Sequence, residues 1–314
     1  MKMNSQRPLV SIVITTYNGE QFLREQLNSV IAQTYQPLEI IVVDDGSTDN
    51  TLNILNGYAT NHENFTVIQN EQNLGYVKNF EKGFSLATGD YIAPCDQDDI
   101  WLTTKIEVLV NHIQDHAIVY CNSEFIDGSG KTLYQKMSDT KTLTHFDNPL
   151  MYLEPGISAL GHAMLIKKEV VFAAMPFPTV LSHDNWLGFV ATLTGSVEFV
   201  DLVLVQYRRH ETNLTNALHK KDRKKNIQKK TRRERLENAQ QRLAVMYEKC
   251  PDGLPEKKVI GQFYSYHESA SFRNNFLRMY LFFQHRDKIL RHKKYRYPKL
   301  KRCLHSIKLF FKTI

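Results

Sequence analysis

Nowhere in the 314 residues do apolar side chains run together for the roughly 18 positions that a membrane-spanning helix needs, so no span is expected. Cysteine is scarce. Its four positions, Cys95, Cys121, Cys250 and Cys303, lie far apart and include no CxxC pair. That argues against a disulfide framework or a structural zinc site and fits a reducing compartment. Residues Met1 to Pro8 lack the apolar core of a secretory leader, which points to the cytoplasm. GxGxxG and the P-loop are also missing, since the turn after the first strand-like run holds only Gly19. Backbone amides there cannot cradle a dinucleotide pyrophosphate, so a bound diphosphate would need its counter-charge from elsewhere. No GxSxG elbow supplies a nucleophile for His183 and Asp184, which argues against a serine hydrolase.

What is present is an ordinary globular composition, 42% hydrophobic and 23% charged, with an uneven distribution of charge. Residues 1–218 hold 13 Lys and Arg against 25 Asp and Glu, a net −12, whereas residues 219–314 hold 27 against 8, a net +19. An acidic body suits a cation site; a basic tail suits an anionic lipid or nucleic-acid surface. The composition changes abruptly at Lys220–Arg235, where ten basic residues face only Asp222 and Glu234. The chain is therefore divided into a large domain, 1–218, and a basic helical extension, 219–314, broken at Pro251, Pro255 and Pro298.

Periodicity organises the first domain. Strands are expected at Leu9–Thr15, Leu38–Val43, Phe65–Gln69, Asp90–Pro94 and Ala117–Asn122. Helices are expected at Glu20–Thr34, Thr48–Tyr58 with Ser47 or Thr48 as N-cap, Tyr76–Ala87 and Trp101–Gln114. Repeated βα units imply an α/β fold with a mostly parallel sheet and helices on both faces. Residues 131–157 read as a mobile segment, followed by a strand at Ala159–Ile166, a helix at Asn185–Leu193 and a strand at Val197–Tyr207. In the extension, Phe272, Phe276, Leu277, Tyr280 and Leu281 are expected to pack against other helices. Lys299–Ile314 gathers Leu300, Leu304, Ile307, Phe311 and Ile314 on one face of a basic helix. That face suits either an anionic membrane or the body of the protein.

Ligands of open parallel sheets sit beyond the carboxyl ends of the strands. Three polar turns fall there: Thr15-Thr16-Tyr17-Asn18, Asp44-Asp45-Gly46-Ser47-Thr48-Asp49 and Asp96-Gln97-Asp98-Asp99. Carboxylates two residues apart in such a turn can reach one hard cation, which can hold a diphosphate that they cannot hold directly. An isolated acidic turn is as often a helix start, capped by Asp98 or Asp99. The aspartates after the second strand favour the cation site. Asp184, in Ser182-His183-Asp184-Asn185-Trp186, stands at a helix start, where a carboxylate caps or acts as a base. Trp101 and Trp186 read as core residues.

The runs VSIVITTYNGEQFLREQLNSVIAQTY, IIVVDDGSTDNT and NLGYVKNFEKGFSLATGDYIAPCDQDDIW, in this order, resemble family 2 glycosyltransferases of GT-A (Rossmann-like) architecture. They are similar in particular to the bacterial rhamnosyltransferase-like branch. The likeness is specific over residues 8–125, weaker to about 215, and does not cover the extension. It implies an inverting transfer of sugar from a nucleotide-diphosphate donor, dTDP-rhamnose or a UDP sugar, to an acceptor hydroxyl. Thr16, Tyr17, Asp44 and Asp45 would line the nucleobase and ribose pocket. Asp96 would face the donor sugar or ribose, and Asp98 the metal, Mg²⁺ or Mn²⁺, with Asp99 sharing either role. Asp184 would be the base. In Tyr207-Arg208-Arg209-His210 the histidine would complete the metal shell and Arg208 or Arg209 would meet the diphosphate; an ordinary loop histidine is the alternative. The QxxRW motif of processive synthases is missing. A glycan or lipid-linked glycan is the expected acceptor, in cell-surface polysaccharide or lipopolysaccharide synthesis, with the basic tail on the inner face of the membrane.

Three rivals have less support. A sugar-nucleotide nucleotidyltransferase would show a Gly-rich basic loop where TTYNGEQ stands. A nucleic-acid-binding protein working through residues 220–235 would carry an acidic edge that repels phosphates, so no nucleic acid is expected as a partner. A catalytically dead binder would have no need of both DQDD and Asp184.

Overall fold

The computed structural model describes residues 7–154, 157, 159–210, 232–291, 293 and 301–305. Nine strands form one sheet in the order β3-β2-β1-β4-β8-β6-β9-β5, with β7 paired to β6. The left half comprises β1 (Val10–Thr16), β2 (Leu38–Asp44), β3 (Phe65–Gln69) and β4 (Tyr91–Cys95), all parallel. Helices α1 (Leu23–Ile31), α2 (Thr51–Asn61) and α3 (Tyr76–Leu86) connect them. β1 and β2 consist almost wholly of buried residues, as strands covered on both faces should.

The right half is mixed. β5 (Ile100–Trp101) and α4 (Lys105–Ile113) precede the long β6 (Ile118–Ile126), β7 (Thr132–Lys136) and the short α5 (Met137–Thr140). Then come β8 (Met164–Lys167), α6 (Lys168–Ala174), α7 (His183–Thr194) and β9 (Val197–Arg208). β8 runs antiparallel to both β4 and β6, β5 antiparallel to β9, and β6 parallel to β9. Only the left half is thus wholly parallel, since β8 enters between β4 and β6 from the opposite end.

Two sequence expectations change. The helix expected from Trp101 starts at Lys105, because Ile100 and Trp101 pair with Gln206 and Val205 on β9. The segment 131–157 forms β7, α5 and a 3₁₀ turn at Pro149–Leu153 in its described part, with Phe146, Leu150, Met151 and Tyr152 buried. Trp101 and Trp186 are buried, as read.

After residue 231 the described chain is helical: α8 (Arg232–Lys249), α9 (Pro255–Tyr266) and α10 (Phe272–Ile289). These helices pack on the 3₁₀ turn. Tyr152 and Leu153 share a cavity of about 150 Å³ with Leu243, Met246, Phe263 and Phe282. Buried Glu256 accepts from Asn148 Nδ2 at 3.0 Å and from Lys288 Nζ at 2.9 Å, and Arg291 holds Asp147 at 2.6 Å. Leu281 packs inward as expected, but Phe272, Phe276 and Tyr280 are exposed. Asn275 and Arg278 take the inner positions instead, with Arg278 donating to the carbonyls of Tyr266 and Ser269. The basic stretch before residue 232 lies outside the described residues, as does most of Lys299–Ile314. No described helix is long and apolar enough to cross a membrane.

Candidate active site

Register brings the first three polar turns together. Thr16 pairs with Asp44 across β1 and β2, and Ile14 with Cys95 across β1 and β4, so the turns emerge side by side. Asp44, fully buried, accepts from Thr16 Oγ1 at 2.8 Å and from Ser47 N at 2.9 Å. Asp45 accepts from Asn70 Nδ2 and Leu74 N at 2.8 Å and Gly75 N at 2.9 Å, which closes the β3–α3 loop over the site. Asn18, in the left-handed region at φ 49°, knots turn one to turn two: its N–H donates to Ser47 Oγ, and its Oδ1 accepts from Thr48 N, both at 2.8 Å. Ser47 and Thr48 are used in this knot rather than as helix caps; the N-cap of α2 is Asn50.

The DQDD residues diverge. Gln97 clamps the first turn, accepting from Tyr17 N at 2.8 Å and donating to Tyr17 O at 3.2 Å. Asp98 Oδ2 meets His210 Nε2 at 2.7 Å, and the His210 ring lies 4.6 Å from that of Phe22. Asp99 points inward with no exposure. It accepts from Arg208 N at 3.1 Å, while its Oδ2 is buried with no hydrogen-bond partner. Carboxylate oxygens of Asp96 and Asp99 and a ring nitrogen of His162 lie within 4.8 Å of one another. Desolvation, then the charges of Asp98 and Asp184, push Asp96 up to about 7. Burial, then the charges of Asp98 and Asp96, raise Asp99.

Lys105 balances this charge from inside. Its ammonium is fully buried, 3.2 Å from the Trp101 ring centre, and donates to His162 O at 2.8 Å. Burial lowers it to about 8.

Asp184 stands in the first turn of α7, where its Oδ1 accepts from Asn185 N at 2.8 Å. Ser182 is the N-cap but makes no side-chain cap bond. Asp184 is close enough to raise Asp96 and Tyr76 electrostatically. Beside it, His183 packs 4.2 Å from the Phe80 ring with neither ring nitrogen hydrogen-bonded, and burial lowers its pKa. Asp96 thus feels the charges of both Asp184 and the His210-paired Asp98, and Gln97 of the same turn holds the half-exposed Tyr17.

Arg208, expected at a diphosphate, is instead 1% exposed. Its Nε donates to Asp98 O at 2.8 Å and its terminal amine to Glu25 at 2.5 Å. It braces the turn from behind. The Arg209 guanidinium lies 3.5 Å over Phe125. Asp99, expected at the metal beside Asp98, accepts from the Arg208 amide and groups with Asp96 and His162 as possible metal ligands. Sequence reasoning missed Gln97, Lys105, His162 and the exposed Tyr76. Gln97 alone carried a visible signal, sitting between the acidic positions.

Comparison with known proteins gives this site its family. The Glycosyl transferase family 2 profile matches residues 11–172. An uncharacterised glycosyltransferase of Rickettsia typhi is 34% identical over 226 residues, 69% of each chain. One from a Nostoc species is 28% identical over 212 residues, 65% of this chain and 66% of that one. The Staphylococcus aureus TarS fragment 1–349, in complex with UDP-GlcNAc, superposes with a TM-score of 0.60 at 18% identity, covering 97% of this chain and 81% of that one. The mannosyltransferase PcManGT of Pyrobaculum calidifontis, in complex with GDP-Man and Mn²⁺, gives 0.56 at 15%, covering 98% and 86%. With its profile matching half of the sequence and its sheet matching these GT-A structures, the chain belongs to glycosyltransferase family 2 and has the GT-A fold.

Proposed function

We propose that the chain is an inverting, metal-assisted glycosyltransferase. It would move a sugar from a nucleoside-diphosphate donor, dTDP-rhamnose or a UDP sugar, to a hydroxyl of a glycan or lipid-linked glycan. The reading rests above all on Asp96 lying within electrostatic reach of both Asp184 and the His210-paired Asp98, a carboxylate base beside a cation-type donor set. Crowded carboxylates and the orphaned Asp99 oxygen fit a divalent ion, Mg²⁺ or Mn²⁺, held by Asp98 and His210 with Asp96 adjoining. That ion supplies Lewis-acid neutralisation of the departing diphosphate.

The chain's own residues do the rest. Tyr17 and Tyr76 offer exposed rings to the nucleobase and sugar, on a floor shaped by Thr16, Asp44 and Asp45. Asp184 takes the acceptor proton as the acceptor oxygen bonds to the anomeric carbon; the carbon–phosphate-oxygen bond breaks, and the nucleoside diphosphate leaves. Arg208 holds the acidic turn in place. Residues 1–218 form the catalytic domain and 219–314 an extension that brings it to the inner membrane face, where cell-surface polysaccharide or lipopolysaccharide acceptors reside. The uneven charge supports that placement.

A thermal-shift panel of nucleoside diphosphates and sugar nucleotides, with and without Mn²⁺, tests the reading on wild type and Asp98→Ala. A donor bound to the native state raises the melting temperature. One sugar nucleotide should give a metal-dependent shift that Asp98→Ala loses. A folded wild type that no nucleotide shifts would sink the proposal.

A further inference from the structure

We propose that the exposed aromatic face of α10 seats the enzyme on an anionic bilayer surface. This rests on the reading that the acceptor is membrane-bound and names the surface that makes the contact. The helix wall is unusual for one facing water. Phe272 is 73% exposed, Phe276 48%, Tyr280 49% and Phe283 39%, while Asn275 and Arg278 of the same helix are buried. Spacings of four, four and three residues stack these rings along one face. The Phe276 and Tyr280 rings lie parallel within 6°, 6.4 Å apart. Single exposed apolar residues are ordinary, but three exposed rings on successive turns, Phe276, Tyr280 and Phe283, mark an interaction surface.

Charge selects the occupant. Exposed Arg273 adjoins Phe272 at one end, and at the other the Arg286 guanidinium lies 4.3 Å from the Phe283 ring and 3.8 Å from the exposed Asp287 carboxylate. From Lys288 to Ile314 the sequence has ten Lys and Arg and no Asp or Glu; Lys288, Arg291, Lys293 and Arg302 pair with Glu256, Asp147, Glu154 and Asp287, and the other six add to the positive charge of this end of the chain. Rings flanked by cations fit the boundary between headgroups and acyl chains, with rings in the apolar layer and guanidinium groups at the phosphates. The GT-A body, by contrast, carries the chain's acidic excess, which disfavours its approach to the same surface.

The test is flotation of the full chain with phosphatidylcholine vesicles, with or without phosphatidylglycerol, for wild type and Phe276→Ser/Tyr280→Ser/Phe283→Ser. The triple variant keeps every charge. Wild type should float with the phosphatidylglycerol vesicles, and the variant's partitioning should fall by about 10-fold or more. Melting temperature should stay the same, since these rings are exposed. Equal flotation of the variant would show that charge alone binds and would overturn the proposal, as would a wild type that stays in solution. A wild-type dimer in the absence of lipid, converted to monomer by the variant, would assign the rings to a second copy and also overturn it. Donor hydrolysis on the same samples reports separately on the catalytic reading. Its loss in wild type counts against that reading and leaves the flotation result standing.

Discussion

Asp96, Asp98 and Asp99 are close neighbours in sequence yet meet different surroundings. Asp99 is a buried acceptor for the Arg208 amide, Asp98 faces His210, and Asp96 is pushed up by burial and by the charges of Asp98 and Asp184. The composition of the turn was legible, and so was the position of Asp184 at a helix start. The division of labour was not, because it depends on β9 crossing behind the turn. Lys105 and His162 carry no local signal: a lysine four residues after a tryptophan reads as an ordinary helix position. If Asp184 is the base, Asp184→Asn removes the proton acceptor but leaves the donor contacts. Transfer should fall by about 10²- to 10⁴-fold, while the nucleotide-induced thermal shift persists. Near wild-type turnover in that variant would mean that another group takes the proton.

The placement of Asp184 is decided by the element that carries it. The 3₁₀ turn Gly161–Ala163 lies against the start of α7. A Cβ at Gly161 would come within 2.7 Å of His183 Nε2 and 3.3 Å of Asp184 Cβ. His183 is wedged against Phe80, so α7 has to give way. Gly161→Ala should cost about 1–3 kcal/mol of stability and lower kcat by roughly 10²-fold through misplacement of Asp184. Unchanged kcat with an unchanged melting temperature would show that this contact does not set the site. Elements were legible where periodicity was strong, as in β1, β2 and α3. Ile100–Trp101 was read as helix because two residues have no period of their own, and only pairing with β9 makes them a strand.

At the scale of the whole molecule, the described helices α8 to α10 cover the apolar turn Pro149–Leu153, and their interior titrates. Burial lowers His267 to about 4 from 6.5, with Arg278 and Arg242 adding to the effect and its bond to Phe263 O opposing it. In the folded chain His267 therefore stays neutral over a range in which the unfolded chain binds a proton. Stability is retained above about pH 6.5 and lost as pH falls toward about 4. The share from this residue is on the order of 3 kcal/mol. Melting temperatures measured between these limits should fall less steeply for His267→Asn than for wild type. Equal slopes would show that His267 is protonated in the folded state.

The amino-acid order by itself determined the α/β class, the acidic turns at the strand ends and the split between an acidic body and a basic extension. Each of these depends on local periodicity, local charge or a short contiguous motif. Tertiary structure alone decided that the right half of the sheet is mixed, that Arg208 braces the acidic turn from inside, and that the rings of α10 face outward. Those outcomes depend on partners more than a hundred positions away, such as Glu25 for Arg208. On α10 they depend on backbone carbonyls, which claim Arg278 for the interior and leave the aromatic side of the helix to the surroundings.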